Sequence, residues 1–189
     1  LKWEIQYIKL INNFYINNYL NEMNLKLSDL QSKDFDRFII ALKNIKKNNK
    51  KVIFVGNGGS AAMASHASVD FTKACKIRSI NFNEADLLTC YANDYGYHNW
   101  VMEALKSYAD KKDLVVLISS SGNSLNIING AKYCLKNKIK FVTFTGFKKN
   151  SPLKKLSKLN FWVNSKKYNF VEMTHLIWIL MAVDFLTKK

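Results

Sequence analysis

The sequence predicts a doubly wound α/β fold: five parallel strands sandwiched by helices and preceded by an N-terminal helical arm. Three observations predict it. From Lys51 onward, short apolar runs rich in Val, Ile and Phe alternate with helical stretches, and that alternation implies a parallel sheet covered on both faces. The chain has 189 residues, and a domain of that size buries roughly 70% of its unfolded surface. Its apolar share of 48%, charged share of 23% and single Pro exclude collagen-like and low-complexity architectures.

The elements follow in order. Residues 3–23 place Ile5, Ile8, Leu10, Ile11, Phe14, Tyr15, Tyr19 and Leu20 around most of a helix circumference, which predicts burial on more than one side. Residues 29–48 repeat the 3.6 period through Leu30, Phe35, Ile39, Leu42 and Ile45. Strands are expected at 51–55, 77–82, 114–119, 140–145 and 160–163, each too short for a helix. Helices are expected around 60–74, 96–109, 124–137 and 151–158, with a last one near 169–187. No repeat or linker interrupts the chain, so residues 1–50 read as an arm that packs in an oligomer and 51–189 as one structural unit.

Charge is the unusual feature, with 29 basic against 14 acidic side chains. All but Arg37 and Arg78 of the basic residues are Lys, and eleven Lys lie between Lys132 and Lys167 with no acid among them. Residues 51–110 carry a net −1 and residues 111–189 a net +12. Such a surplus favours anionic partners. Lys without Arg argues against base readout in nucleic acid, and 22 Asn beside the Lys point to compositional drift for much of it. Cys75, Cys90 and Cys134 form no CxxC pair, so neither a disulfide framework nor a zinc knuckle is expected and a reducing cytoplasm fits. The longest apolar stretch, Phe170 to Leu186, holds Glu172, His175 and Asp184. It reads as a buried helix, with no membrane partner expected, and no basic stretch followed by an apolar one opens the chain.

In an open α/β sheet, ligands bind beyond the carboxyl ends of the strands. Two such ends carry distinctive loops. Gly56-Asn57-Gly58-Gly59-Ser60 lets a ligand approach the backbone at a helix start, yet it lacks the spacing of a dinucleotide fingerprint or a Walker A loop, so no nucleotide cofactor is expected. Ser119-Ser120-Ser121-Gly122-Asn123-Ser124 sets hydroxyls and amides at another helix start, a cradle for phosphate; the plainer reading is helix capping. His66 and Asp70 are four apart, and Glu172 and His175 three apart, so each pair shares a helix face. They suit an acid/base couple, a mixed nitrogen and oxygen metal site, or carboxylates that orient histidines in the core. Asp94 reads as a turn residue or an acceptor for a sugar hydroxyl. Lys148 and Lys149, past a strand end, stand where they would attract a phosphorylated sugar.

These two loops, with Asn93-Asp94-Tyr95-Gly96 between them, resemble the sugar isomerase (SIS) domain family, and more narrowly its phosphoheptose isomerase branch. The likeness runs from about Lys51 to the end. It implies a homotetramer with active sites between subunits, binding a phosphorylated sugar. It also implies an aldose–ketose isomerase that converts sedoheptulose 7-phosphate for heptose and surface-polysaccharide precursors. Ser119, Ser120, Ser121 and Ser124 match the family's phosphate loop. Asn57, Gly58, Gly59 and Ser60, with Asn93 and Asp94, match residues that hold the rest of the substrate. His66 matches a zinc ligand, and Asp70 stands where the family has a Glu that binds metal and acts as base. Glu172 stands at a Gln that contacts metal and substrate, and Leu180 at a later catalytic His. The resemblance therefore implies Asp70, Glu172 and His175 as the catalytic set and a zinc held by His66, Asp70, Glu172 and His175. Leu180 favours the alternative of a non-catalytic SIS protein that binds a sugar phosphate or a protein partner in a regulatory role.

Overall fold

Backbone polar groups buried with apolar strands must pair with one another, and here five short runs do so side by side. The computed structural model describes residues 2–188. Its strands are β1 (Val52–Val55), β2 (Ser79–Asn81), β3 (Leu114–Ser119), β4 (Lys140–Thr145) and β5 (Asn160–Trp162). They form one parallel sheet in the order β2-β1-β3-β4-β5, the five-stranded doubly wound α/β sheet that the sequence predicts. The edge strands β2 and β5 are shorter than expected, three residues each, since an edge is held by pairing on one side only.

The helices are α1 (Lys2–Leu27), α2 (Ser32–Lys47), α3 (Gly59–Lys73), α4 (Ala85–Tyr95), α5 (Trp100–Tyr108), α6 (Leu125–Lys136), α7 (Pro152–Leu156) and α8 (Tyr168–Thr187). Successive strand residues alternate between faces, so the sheet has two apolar sides. Phe54, Val116, Ile118 and Phe144 pack with Phe38 and Leu42 of α2, Phe71 of α3 and Trp178 of α8. Ile53, Val55, Val115 and Leu117 pack with Trp100 and Leu105 of α5, Ile127 of α6 and Leu153 of α7. Helix α8 is, among the described residues, the one helix long and apolar enough to cross a membrane. Eight of its residues, including Phe170, Val171 and Trp178, are buried in this core.

Two expectations need correction. Residues 85–95 form α4, where no element was expected, so Asp94 lies in a helix and not in a turn. No residue of α4 is fully buried; it has no core face strong enough to announce a helix in the sequence. Second, α1 is not enclosed by this chain. It meets α8 through Tyr19 on Phe170, at 4.6 Å between ring centres, and through the Leu27 carbonyl, which accepts from Trp178 Nε1 at 3.1 Å. Ile8, Ile11, Phe14, Tyr15 and Leu20 stay exposed. The side chains of Ile5 and Leu10 lie outside the described residues.

Candidate active site

Strands β1 and β3 are neighbours, but their chains leave in opposite directions, to α3 on one face and α6 on the other. The loops that follow them therefore part, and a crevice opens at their carboxyl ends. It has a volume of about 270 Å³ and is walled by Asn57, Gly58, Gly59 and Ser60 on one side and Ser119, Ser120, Ser121 and Ser124 on the other. The start of α8 closes it with Tyr168 and Glu172.

The glycine loop has its composition for steric reasons. A Cβ on Gly56 would stand 2.5 Å from the Ser60 backbone, and one on Gly59 would run into the Glu172 carboxylate. Gly58 sits at φ 53°, a backbone that side chains disfavour. Asn57 is locked in place: it exchanges amide hydrogen bonds with Asn126 at 3.1 and 2.8 Å, and its Oδ1 also accepts from Tyr97 Oη at 3.1 Å. Its side chain keeps one N–H free, so the loop offers a ligand chiefly backbone.

In the serine loop the hydroxyls are not spent on capping. Ser124 occupies the N-cap of α6 without a side-chain cap bond; its Oγ lies 3.0 Å from Ser119 Oγ instead. The first-turn amides that a helix cannot satisfy internally are thus left to a ligand. Ser120 Oγ is buried and has no partner among the described residues, a group that costs free energy until something bonds it. A phosphate oxygen meets both needs, since the α6 amides and dipole favour an anion at the same point. Gly122, at φ 66°, lies against Ser151, whose side chain leaves no room for a Cβ.

Glu172 is half-buried in this crevice, and burial raises its carboxyl above the ordinary value. His175, one turn on, is elsewhere. It is fully buried, edge-on to Phe144 at 5.5 Å and 6.3 Å from Trp178 between ring centres. Its Nε2 is 3.1 Å from the Thr145 carbonyl, which fixes Nε2 as the donor, and Nδ1 has no partner among the described residues. Burial pulls its pKa down to about 4, against a smaller upward pull from that hydrogen bond. A shared helix face did not bring Glu172 and His175 to one site, because a 100° turn per residue still separates positions three apart enough for one to point into the crevice and the other into the sheet. Leu180 packs against the same apolar core.

His66 and Asp70 pair with each other at 3.2 Å, with side chains 50% and 36% exposed, on the outer part of α3. Neither they nor the exposed Asn93 and Asp94 line the crevice. Asp94 instead lies 3.7 Å from the Cys90 thiol, whose pKa it raises. A zinc needs three or four converging donors, and no group of three or more His, Cys, Asp and Glu converges among the described residues. The set His66, Asp70, Glu172 and His175 does not fit zinc within one chain: two are paired outside, one is in the crevice, and the last spends Nε2 on Thr145. Lys149 lies over Trp162 at 5.9 Å, clear of the crevice. Sequence reasoning missed Tyr168, Asn126 and Tyr97. Tyr97 stands beside the Asn93-Asp94-Tyr95-Gly96 run, and Asn126 two residues past the serine loop, so proximity to those motifs was the available signal.

Residues 17–146 match the SIS domain family. The chain belongs to that family. As an SIS domain it is similar to the phosphoheptose isomerase of Aliarcobacter butzleri, 31% identical over 145 residues that cover 74% of this chain and 76% of the relative. It is also 31% identical over 121 residues to the phosphoheptose isomerase of Buchnera aphidicola subsp. Acyrthosiphon pisum, covering 61% of this chain and 63% of that relative's length, a little under two thirds. Among solved structures, phosphoheptose isomerase GmhA from Neisseria gonorrhoeae superposes with a TM-score of 0.84 at 20% identity, over 93% of this chain and 99% of that one. The likeness in fold therefore reaches beyond the matched segment.

Proposed function

We propose that this chain is an aldose–ketose isomerase of phosphorylated sugars, and that its substrate is the seven-carbon ketose sedoheptulose 7-phosphate, converted to D-glycero-D-manno-heptose 7-phosphate. The observation that carries this reading is the uncapped serine loop with its orphan Ser120 hydroxyl, placed in one crevice with a half-buried carboxyl. Similarity to named phosphoheptose isomerases supports the substrate class.

In this mechanism Ser119, Ser120, Ser121, Ser124 and the α6 amides hold the phosphate and fix the sugar's register. The Gly58–Gly59 backbone lies along the other end. Glu172 takes the proton from the carbon beside the carbonyl, exchanges it with solvent while the enediol stands, and delivers a proton to the neighbouring carbon. Its raised pKa brings the carboxylate nearer in basicity to the proton it must move. Tyr168, one turn before Glu172 on α8 and lining the same crevice, is placed to serve the oxygens. Asp70 and His66 act only if another copy presents its own crevice to α3. That arrangement would make the site one between subunits, with residues 1–50 as the assembling arm; the exposed apolar face of α1 supports it. Three cysteines without disulfides agree with a cytoplasmic setting.

The test is steady-state conversion of sedoheptulose 7-phosphate by wild type, Glu172→Gln and Asp70→Asn, with and without added zinc. General-base catalysis contributes about 10²–10⁴-fold, so Glu172→Gln should lose at least a hundredfold in kcat with KM little changed. Full activity in Glu172→Gln overturns the assignment. A second reading, a non-catalytic sugar-phosphate binder, is favoured by Leu180 and by the burial of His175; sugar-phosphate binding without turnover in the wild type would establish it.

A further inference from the structure

Two adjoining hollows lie where the strands begin, at the end of the sheet opposite the crevice. The larger, about 650 Å³, is lined by Lys111, Lys112, Lys138 and Lys140. The second, about 440 Å³, shares Lys138 and Lys140 and adds Arg37 and Lys158. Among the described residues, no Asp or Glu lines either one. Asp110 and Asp113, beside Lys111 and Lys112, are both bound to Lys51 at 2.7 Å, and Asp34 is paired to Arg37 at 3.0 Å.

Helix dipoles account for only part of this charge. Lys in a last helical turn complements the dipole, as Lys136 does in α6. Lys140, however, opens β4, and Lys111 and Lys112 stand in the loop before β3. Lys112 and Lys138 also hold left-handed backbone, φ 75° and 57°, where Gly or Asn is the favoured residue. The turns do not ask for lysine. The floor of the larger hollow is apolar, made by Ala41, Ile45 and Leu114, and three carboxamides, Asn44, Asn48 and Asn137, border it. Its size is that of a small-molecule site, and lysine ammonium groups bind phosphate as point charges.

We propose that this hollow binds a nucleoside polyphosphate: the phosphates on Lys111, Lys112, Lys138 and Lys140, the base on the apolar floor with its edge against the carboxamides. Strand β3 runs from Leu114 at this hollow to Ser119 at the serine loop, roughly 17 Å at about 3.3 Å per residue. The two ligands therefore occupy separate sites and bind together.

The experiment is calorimetric titration of the full chain with ATP, at low and at physiological salt, for wild type and for Lys111→Glu/Lys140→Glu. Expected are one ATP per chain, affinity that falls with salt, at least a tenfold loss in the double variant, no displacement by sedoheptulose 7-phosphate, and weaker binding of inorganic triphosphate. Several results overturn the proposal: no binding at millimolar ATP in low salt, affinity unchanged in the double variant, displacement by the sugar phosphate, triphosphate binding as tightly as ATP, or a short oligonucleotide binding more tightly than ATP. Sugar-phosphate isomerisation by the double variant reports the opposite end of the sheet, so either reading can fail alone.

Discussion

Ser120 carries the sharpest residue-scale consequence. Its buried hydroxyl has no partner among the described residues, so Ser120→Ala removes a cost from the free protein and a bond from the complex. We expect KM for the sugar phosphate to rise about tenfold, in line with roughly 1.5 kcal/mol for a charge-assisted bond, while the melting temperature holds or rises. His175 makes the opposite kind of claim. Its pKa in the fold is about 4 against an ordinary 6.5. The unfolded chain therefore takes up a proton that the folded chain refuses, and stability falls as pH drops from about 6.5 to about 4, by roughly 3 kcal/mol at 1.36 kcal/mol per unit. His175→Gln keeps a donor for the Thr145 carbonyl and removes the titration, so denaturant melts across that window should show a flattened acid limb. Glu172 works in the other sense. Its raised carboxyl binds a proton more readily folded than unfolded, so its ionisation weakens the fold as pH rises past the ordinary carboxylate range. Glu172→Gln should melt higher than wild type at neutral pH, and the gap should close in acid. His175 faces the core and Glu172 the crevice because positions three apart share a face loosely, and one turn of α8 is enough to exchange crevice for core.

The elements that were legible are those with buried faces. The central strands β1 and β3 are buried along their whole length and stand out in the sequence as short apolar runs, each followed at its carboxyl end by a Gly- or Ser-rich loop. Helix α4 was not legible, since a helix with no fully buried residue leaves no periodic stripe. The amino-terminal end of the sheet is held by a buried ion group the sequence did not announce. Asp113, fully buried, accepts from Lys51 Nζ at 2.7 Å and from the Lys51 and Asp110 amides at 3.1 and 2.8 Å. Burial lowers the Lys51 pKa, but hydrogen bonds to Asp110 and Asp113 outweigh it and the net shift is upward. Lys51→Met strands the Asp113 carboxylate and should cost about 3–5 kcal/mol in urea unfolding, whereas Asp110→Asn, at the exposed partner, should cost under about 1 kcal/mol.

For the whole molecule, topology explains why the reading reached the crevice and stopped there. The strand order β2-β1-β3-β4-β5 sets the glycine and serine loops side by side at the point where the crossovers part, so any sequence motif at those two ends converges. His66 and Asp70 lie on the flank of α3, and Ile8, Ile11, Phe14, Tyr15 and Leu20 of α1 are open; no spacing rule within one chain says what faces them. The basic surplus divides in the same way, since the crevice is lined by neutral hydroxyls and one carboxyl while lysines gather at the opposite end. The most direct test of the isomerase claim is proton NMR of sedoheptulose 7-phosphate incubated with the purified chain in D₂O. The account predicts an aldose product with solvent deuterium at C2, formed through the enediol and lost in Glu172→Gln. Sugar phosphate that binds but returns unchanged and unlabelled would contradict it.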